Sequence, residues 1–265
     1  MGYYDSLSAE QKANIDIIID EAKKAGITNP YAQAGLLSII SKESSFIPKQ
    51  EKPYGGTSNE RIRKIFGSRV AELSDSELDK LKADPKAFFD RVYGGRYDNA
   101  PDEGYKYRGR GFNQITFKSA YQKYGDKAGV NLVNDPDALL VPRPAAKVAV
   151  AFAKYRIGRL KDKGMLAEYN SNDINDFKNE RDAVQAFYHA NTGTGKSVEK
   201  VKGLEHSDTL GGMRKALDRV SSLYDYTKSM LGKGYEYVKK NKVKTVVVTS
   251  VLILASYVLY KTLKK

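Results

Sequence analysis

Apolar residues recur every three or four positions in several parts of the chain, a spacing that places them on one face of a helix. Ile15, Ile18 and Ile19 form such a stripe and predict a helix over residues 8–25. The same spacing predicts further helices over residues 30–47, 76–82, 85–92, 145–157 and 180–190. Outside these helices, the stretch from 49 to 109 has no clear period and is expected to be rich in loops. The pattern therefore predicts a mainly helical fold.

The first two helices also carry start and stop signals. Ser8 and Gln11 have the spacing of a capping box, and Gly26 follows the last apolar position of the first stripe. Asn29 and Pro30 fit the N-cap and the first position of the second helix. These signals predict two consecutive helices joined by a short turn.

One apolar run near the C-terminus differs from the amphipathic stripes. Residues 245–260 carry no charge. Seven lysines flank this run, four before it and three after it. Sixteen helical residues span about 24 Å, and the flanking lysine stems can extend that length toward the ~30 Å of a hydrocarbon core. We therefore expect a single-pass transmembrane helix within 242–265, preceded by a connector over 223–241. A buried core element is the alternative, but it would not require lysines at both ends.

The composition narrows the chemistry. Lysine and arginine number 45 against 32 acidic residues, a net charge of +13, which indicates a polyanionic partner. Nucleic acid is not expected, because the basic residues are spread along the chain and many flank the apolar run. The chain has no cysteine and only two histidines, His189 and His206, so we expect no disulfide, metal or other cofactor. His189 lies in an apolar stretch and is expected to be a core or cleft-edge residue.

A carboxyl group interrupts the apolar face of the second predicted helix. Leu36, Ile39, Ile40 and Glu43 stand at helical spacing. Apolar surroundings disfavour the ionised form of a carboxyl group, so Glu43 could act as a proton donor. A glutamate at a helix end that simply faces water is the other interpretation, and this helix alone favours it.

Two segments change that balance. Both segments resemble glycoside hydrolase family 19. The first is SKESSFIPKQEKPYGG, which contains Glu43 and Glu51, and the second is YKYRGRGFNQITFKSAYQKYG, at 105–125. That family includes plant-type chitinases and many phage endolysins. Two weaker segments, NDPDALLVPRPAAKVAVAF and AFYHANTGTG, follow in the family's order, and the resemblance covers about residues 8–218.

The resemblance implies a lysozyme-like, two-lobed helical domain over 1–222 with a central cleft. It assigns Glu43 as the general acid and Glu51 as the base that activates water. The substrate-binding residues carried over from the family are Tyr107, Gln114, Thr116 and Asn191. An inverting glycosidase of this kind needs two carboxyl groups roughly 6.5–9.5 Å apart, so that a water molecule fits between them.

Three positions depart from the family pattern. Lys42 replaces a histidine, and its ammonium favours the ionised form of Glu43. The segment around the base is shorter, which leaves Glu60 as an alternative to Glu51. Ala120 stands where many members have a substrate-binding asparagine, which points away from ordinary chitin. Arg108 and Arg110, within the glycine-rich motif, are expected to be structural.

The function expected from these features is a membrane-associated peptidoglycan hydrolase that cuts the glycan strand. A phage lysis protein or a wall-penetrating virion protein would fit, at the host inner membrane or in a virion membrane. A lytic transglycosylase that uses Glu43 alone is one alternative. A non-catalytic, membrane-bound wall-binding or scaffold protein is another, favoured by Lys42 and the altered base segment.

Overall fold

The computed structural model describes residues 2–193, 195–207 and 213–230. The chain divides into two units, Met1–Tyr224 and Asp225–Lys265, and the elements below lie in the first. Its helices are α1 (Ala9–Lys24), α2 (Pro30–Ser44), α3 (Asn59–Phe66), α4 (Asp75–Ala83), α5 (Pro85–Tyr93), α6 (Lys118–Ala128), α7 (Pro142–Asp162), α8 (Glu180–Thr192) and α9 (Val198–Ser207). The prediction of a mainly helical fold is confirmed.

Short elements complete the fold. Strands β1 (Lys49–Gln50) and β2 (Arg110–Gly111) pair antiparallel, with Lys49 opposite Gly111. Short 3₁₀ helices cover Gly67–Arg69, Pro136–Leu140 and Ala167–Tyr169, and residues 213–224, at the end of the first unit, are also helical. The two-stranded pairing connects the segment after α2 to the glycine-rich motif, sixty residues further along the chain.

The predicted starts of α1 and α2 are confirmed. Ser8 Oγ accepts from the backbone N–H of Gln11, and the Gln11 side chain accepts from the backbone N–H of Ser8. Asn29 Oδ1 accepts from the Ala32 N–H at 3.0 Å, and Pro30 occupies the first helical position. Each cap satisfies an N–H that has no partner within its own helix.

The pattern did not predict α9 or the helix that begins at residue 213, and it also missed α3 and α6. In α3, Ile62, Ile65 and Phe66 have helical spacing, but the run covers little more than one turn and only Ile62 is buried. The residue before α6 is Phe117, which has a φ of 74° and makes no side-chain cap. Neither helix had a signal strong enough to separate it from the surrounding loops.

The helical core is built around α7. This helix packs against α1, α6 and α8, and α2 packs in turn against α8. Gly35 lies at that second contact, where an added Cβ would be 3.0 Å from the Phe187 ring and 3.1 Å from the Ala183 carbonyl carbon. The missing side chain therefore allows α2 and α8 to approach closely, which brings their C-terminal ends together.

A separate hydrophobic cluster, here called the aromatic cluster, lies among α3, α4 and α5. Its buried members are Ile62, Val70, Leu78, Phe88, Phe89 and Val92, and its half-buried members include Tyr54, Phe66 and Tyr93. The Tyr54 and Phe66 rings meet edge to face with centroids 5.2 Å apart, an arrangement favoured by the ring quadrupoles. The cluster holds two phenol groups at its margin.

The predicted fold class is corrected in its C-terminal part. In the part of the chain that the structure describes, no helix is both long enough and apolar enough to cross a membrane. The longest of these helices, α7, has 21 residues but carries basic side chains along its length, including Lys147 and Lys154. The transmembrane helix predicted within 242–265 lies outside the described residues. The predicted localisation, at a membrane through a single-pass anchor, is corrected on the same finding.

Candidate active site

Glu43 lies in the last turn of α2, just before a sharp reversal of the chain. Ser45 and Phe46 both have positive φ, 52° and 61°, which is uncommon for residues with side chains. Helix α1 holds this reversal: Gln11 Nε2 donates to the Ser45 carbonyl and Asn14 Nδ2 donates to the Phe46 carbonyl, each at 2.8 Å. The geometry after Glu43 is therefore fixed by a neighbouring helix.

Two donors hold the Glu43 carboxylate, and both contact Oε1. Lys42 Nζ lies 2.8 Å away and Asn191 Nδ2, in the last turn of α8, lies 3.0 Å away. The Glu43 side chain keeps 27% of its exposure, and none of the described residues donates to its Oε2. The structure thus brings together Glu43 and Asn191, two residues of the predicted site, and pairs Glu43 with Lys42.

The apolar face predicted beside Glu43 is present. Leu36, Ile39 and Ile40 are each at most 4% exposed, whereas Glu43 lies at the end of the same face and reaches solvent. A small crevice continues from these residues between α2, α7 and α8 and is bordered by Asn191. Glu43 therefore has apolar neighbours on one side and water on the other.

Glu51 follows β1 and is held by three donors. Tyr54 Oη and Tyr93 Oη donate to Oε1 at 2.8 and 2.9 Å, and the Gly109 N–H donates to Oε2 at 3.2 Å. The Glu51 N–H in turn donates to the Gly109 carbonyl at 2.7 Å. A carboxylate that accepts from two side chains and the backbone has its orientation fixed.

The two tyrosines are suited to this role. Burial raises the pKa of Tyr54 and of Tyr93 above the ordinary value, and the negative charge of Glu51 raises both further. Both phenols therefore stay protonated and remain donors throughout the neutral range. Tyr54 lies in the motif quoted above without an assigned role, and Tyr93 had no sequence signal, because it lies 42 residues from Glu51 in α5.

Gln114 and Thr116 lie in the loop that follows β2. Gln114 has a φ of 51°, and its Nε2 donates to the carbonyls of Lys49 and Gly111, which ties the loop to both strands. Thr116 Oγ1 donates to the Gln114 carbonyl at 3.1 Å. A Cβ added at Gly109 would lie 3.1 Å from Gln114 Oε1 and 3.3 Å from Glu51 Oε2. The amide oxygen of Gln114 and the Glu51 carboxylate therefore meet across Gly109.

Tyr107 does not join the others. Its side chain is fully buried, and its hydroxyl donates to the Val133 carbonyl at 3.1 Å. It belongs to the core between α6 and the turn before α7, and leaves no surface for a ligand. Glu60, the alternative base, is exposed in the first turn of α3.

Arg108 and Arg110 are structural, as predicted. Arg110 donates to Asp137 at 2.8 Å and to Tyr121 Oη at 3.0 Å, and its side chain is buried. The Arg108 guanidinium lies 3.9 Å from the centre of the Tyr105 ring and donates to the Gln50 side chain. Together these contacts secure the loop that carries Gly109.

His189 is a core residue, as predicted. Its Nε2 faces the Lys196 carbonyl at 3.0 Å, so this nitrogen carries the proton, and Nδ1 accepts from Tyr169 Oη at 3.0 Å. Burial lowers the pKa of His189, which keeps the ring neutral. The histidine therefore ties α8 to the segment that follows it.

No protein-family model matches the chain, and no curated protein matches it either. Of the six residues predicted for the site, Glu43 is hydrogen-bonded to Asn191 and Thr116 to Gln114. Glu51 and Gln114 both lie next to Gly109, whereas Tyr107 is buried in the core.

Proposed function

We propose that the chain is a glycosidase that hydrolyses the glycan strand of peptidoglycan, with Glu43 as general acid and Glu51 as general base. One observation carries the proposal. Two glutamates close in sequence are each held by a side chain from another helix, Glu43 by Asn191 of α8 and Glu51 by Tyr93 of α5, and Glu51 also accepts from the neighbouring Tyr54. A purely solvated glutamate would not need such partners.

The acid role fits the surroundings of Glu43. Both donors engage Oε1, and no described residue donates to Oε2, so Oε2 can carry a proton and present it to a glycosidic oxygen. Asn191 holds the group in place during the transfer. Lys42 forms an ion pair with the ionised carboxylate of Glu43 and therefore favours that form. Delivery of the proton to the departing oxygen restores this ion pair.

The base role fits the surroundings of Glu51. An ionised carboxylate only accepts hydrogen bonds, and its three partners are all donors. In the proposed reaction Glu51 takes a proton from water as the water oxygen attacks the sugar carbon. At the same time Glu43 protonates the departing oxygen. The products are a new reducing end with inverted configuration and a free hydroxyl on the other fragment.

The substrate class is inferred from the sequence. The motifs that contain Glu43, Glu51 and Gln114 resemble glycoside hydrolase family 19, which includes phage endolysins. Ala120, in place of an asparagine, argues against ordinary chitin, and the net charge of +13 suits an anionic cell wall. A bacteriolytic role in a phage, as a lysis protein or a virion-associated enzyme, fits these features.

Three variants test the assignment on purified peptidoglycan. We expect Glu43→Gln and Glu51→Gln each to lower the cleavage rate by at least about 10²–10⁴, the usual contribution of general acid or base catalysis. Glu60→Gln is the matched control, because Glu60 is exposed, and it should retain the wild-type rate. A folded Glu43→Gln protein with wild-type turnover would refute the acid role. Loss of activity in Glu60→Gln alone would transfer the base role to Glu60.

The products formed from purified peptidoglycan distinguish hydrolysis from lytic transglycosylation. A transglycosylase needs only one acid/base carboxyl group and closes a 1,6-anhydro ring on the product. The hydrogen bonds that hold Glu51 favour hydrolysis, since a transglycosylase would have no use for them. Activity that survives Glu51→Ala, with anhydro products, would establish the transglycosylase.

A further inference from the structure

A groove lined by lysines lies on the face formed by α1, α6 and α7, with none of the proposed catalytic residues in its walls. It consists of two adjoining depressions of about 270 and 320 Å³, which share Lys127, Ala151 and Lys154. Lys147 lines the first depression and Tyr155 the second. We call this surface the lysine groove.

The charge of the lysine groove is strongly unbalanced. Lys127, Lys147 and Lys154 are all exposed, and they come from two different helices. Within the described part of the chain, Glu21 is the only carboxylate that lines the groove, and it is already paired with Arg143 and Lys24. The acid therefore leaves the three lysine charges largely uncompensated.

Lys154 is held in place, while the other two lysines can adapt. Lys154 Nζ donates to the Ala25 carbonyl at 2.6 Å, a contact that uses one of its three protons. Stabilisation of the C-terminal end of α1 explains that contact. Within the described residues no such hydrogen bond to a helix end holds Lys147, which lies in the second turn of α7.

Positive charge also gathers at the Tyr155 end. Lys123 Nζ lies 3.9 Å and Lys127 Nζ 4.8 Å from the centre of the Tyr155 ring. The hydrogen bond from Lys123 lowers the pKa of the Tyr155 phenol. Asp126, the acidic residue nearest in sequence, is engaged by Gln122 at 2.7 and 2.8 Å. This end of the groove therefore attracts anions.

The shape indicates an extended ligand. Several lining side chains are small, among them Ala25, Ala128 and Ala151, so a chain could lie close to the helix backbones. From Lys147 to Tyr155 the groove follows eight residues of α7, or about 12 Å, which is room for more than one phosphate group. Tyr155 is the only aromatic side chain that lines the two depressions in the described structure, so successive nucleic-acid bases would find no stacking platform.

We propose that the lysine groove binds the phosphate groups of an extended polyol-phosphate polymer, an anionic chain without bases. Lysine ammonium groups are suited to phosphate as point charges, and their spacing along α7 matches a repeating anion better than a single one. The site does not depend on the proposed glycosidase activity, and its test uses binding alone.

The test measures binding of the full-length chain to a fluorescently labelled poly(glycerol phosphate) by anisotropy. We expect Lys127→Gln/Lys147→Gln/Lys154→Gln to weaken binding roughly tenfold, as three exposed charge pairs would. Lys127→Gln/Lys147→Gln, which keeps the Lys154 contact to Ala25, should show a smaller loss. Raising the salt concentration should weaken binding by the wild type more than by either variant.

A matched control carries the same change in net charge elsewhere. Lys64, Lys80 and Lys200 are exposed and lie on α3, α4 and α9, so their triple glutamine variant should bind like the wild type. Equal losses in the control and groove variants would overturn the proposal, because binding would then reflect net charge alone. Tighter binding of a single-stranded oligonucleotide, or of anionic lipid vesicles, through the same three lysines would also overturn it.

Discussion

The environment of Glu51 shows how a surface carboxylate can be held in one orientation. Two phenols and a backbone N–H converge on it from three separate parts of the chain. The phenols are themselves fixed, because Tyr54 and Tyr93 pack into the aromatic cluster. The packing of α3, α4 and α5 therefore determines where the proposed base points.

Removing one phenol oxygen at a time tests this arrangement. We expect Tyr54→Phe and Tyr93→Phe each to lower kcat roughly tenfold, with little change in KM, because Glu51 loses a positioning hydrogen bond. Each change should also lower the free energy of unfolding by about 1–2 kcal/mol. Tyr105→Phe is the control, since Tyr105 is exposed and makes no hydrogen bond with Glu51. If KM alone rises, these tyrosines contact substrate and do not position the base.

The sequence singled out Glu43 and Glu51 but only some of the residues that contact them. Glu43 and Asn191 were both predicted for the site, and they are hydrogen-bonded to each other. Tyr107 was predicted to bind substrate but is buried, because a motif does not show which way a side chain points. Tyr93 could not be predicted, since its contact with Glu51 depends on how α5 packs.

Among the elements, the reversal after α2 has the clearest consequences for the site. Two consecutive residues, Ser45 and Phe46, have left-handed backbones there, a conformation that costs energy and needs support. Asn14 provides part of that support from α1, because it is only 2% exposed and donates to the Phe46 carbonyl. A change in α1 should therefore reach the proposed acid through this turn.

We expect Asn14→Ala to lower the free energy of unfolding by about 1–2 kcal/mol, because the buried Phe46 carbonyl loses its donor. The rate of glycan cleavage should fall with it, since the turn after Glu43 loosens. Ser8→Ala provides the comparison: it removes the side-chain cap of the same helix at a cost of about 1 kcal/mol but keeps the Asn14 hydrogen bond to the Phe46 carbonyl. Denaturant unfolding and cleavage assays on both variants distinguish the two effects. Equal activity losses would show that α1 acts only through overall stability.

Element prediction succeeded where the local signals were complete. Helices α1 and α2 have long apolar stripes and caps, and both were predicted close to their observed bounds. Helix α6 begins after Phe117 without a side-chain cap and was missed, because tertiary packing of Tyr121 and Tyr124 specifies it instead. The pairing of β1 with β2 was also beyond prediction, since two-residue strands carry no alternation.

For the molecule as a whole, the buried tyrosines predict a loss of stability in alkali. Burial raises the pKa of Tyr121 to about 12, against 10.0 for a free phenol, and also raises the pKa of Tyr169. Above pH 10 the unfolded chain releases these protons while the folded chain keeps them. The stability they provide is therefore fully present below pH 10 and falls by about 1.4 kcal/mol per pH unit for each tyrosine as the pH rises further. Urea unfolding on both sides of pH 10 should show this slope, and Tyr121→Phe should reduce it.

The most direct test of the proposed function is the chemistry of the products. Purified peptidoglycan incubated with the wild-type chain should release glycan fragments whose masses correspond to free reducing ends. The same incubation with Glu43→Gln should release none, although the variant remains folded by circular dichroism. Undegraded glycan with the wild-type chain, or identical fragments from Glu43→Gln, would contradict a glycosidase that uses Glu43 as its acid.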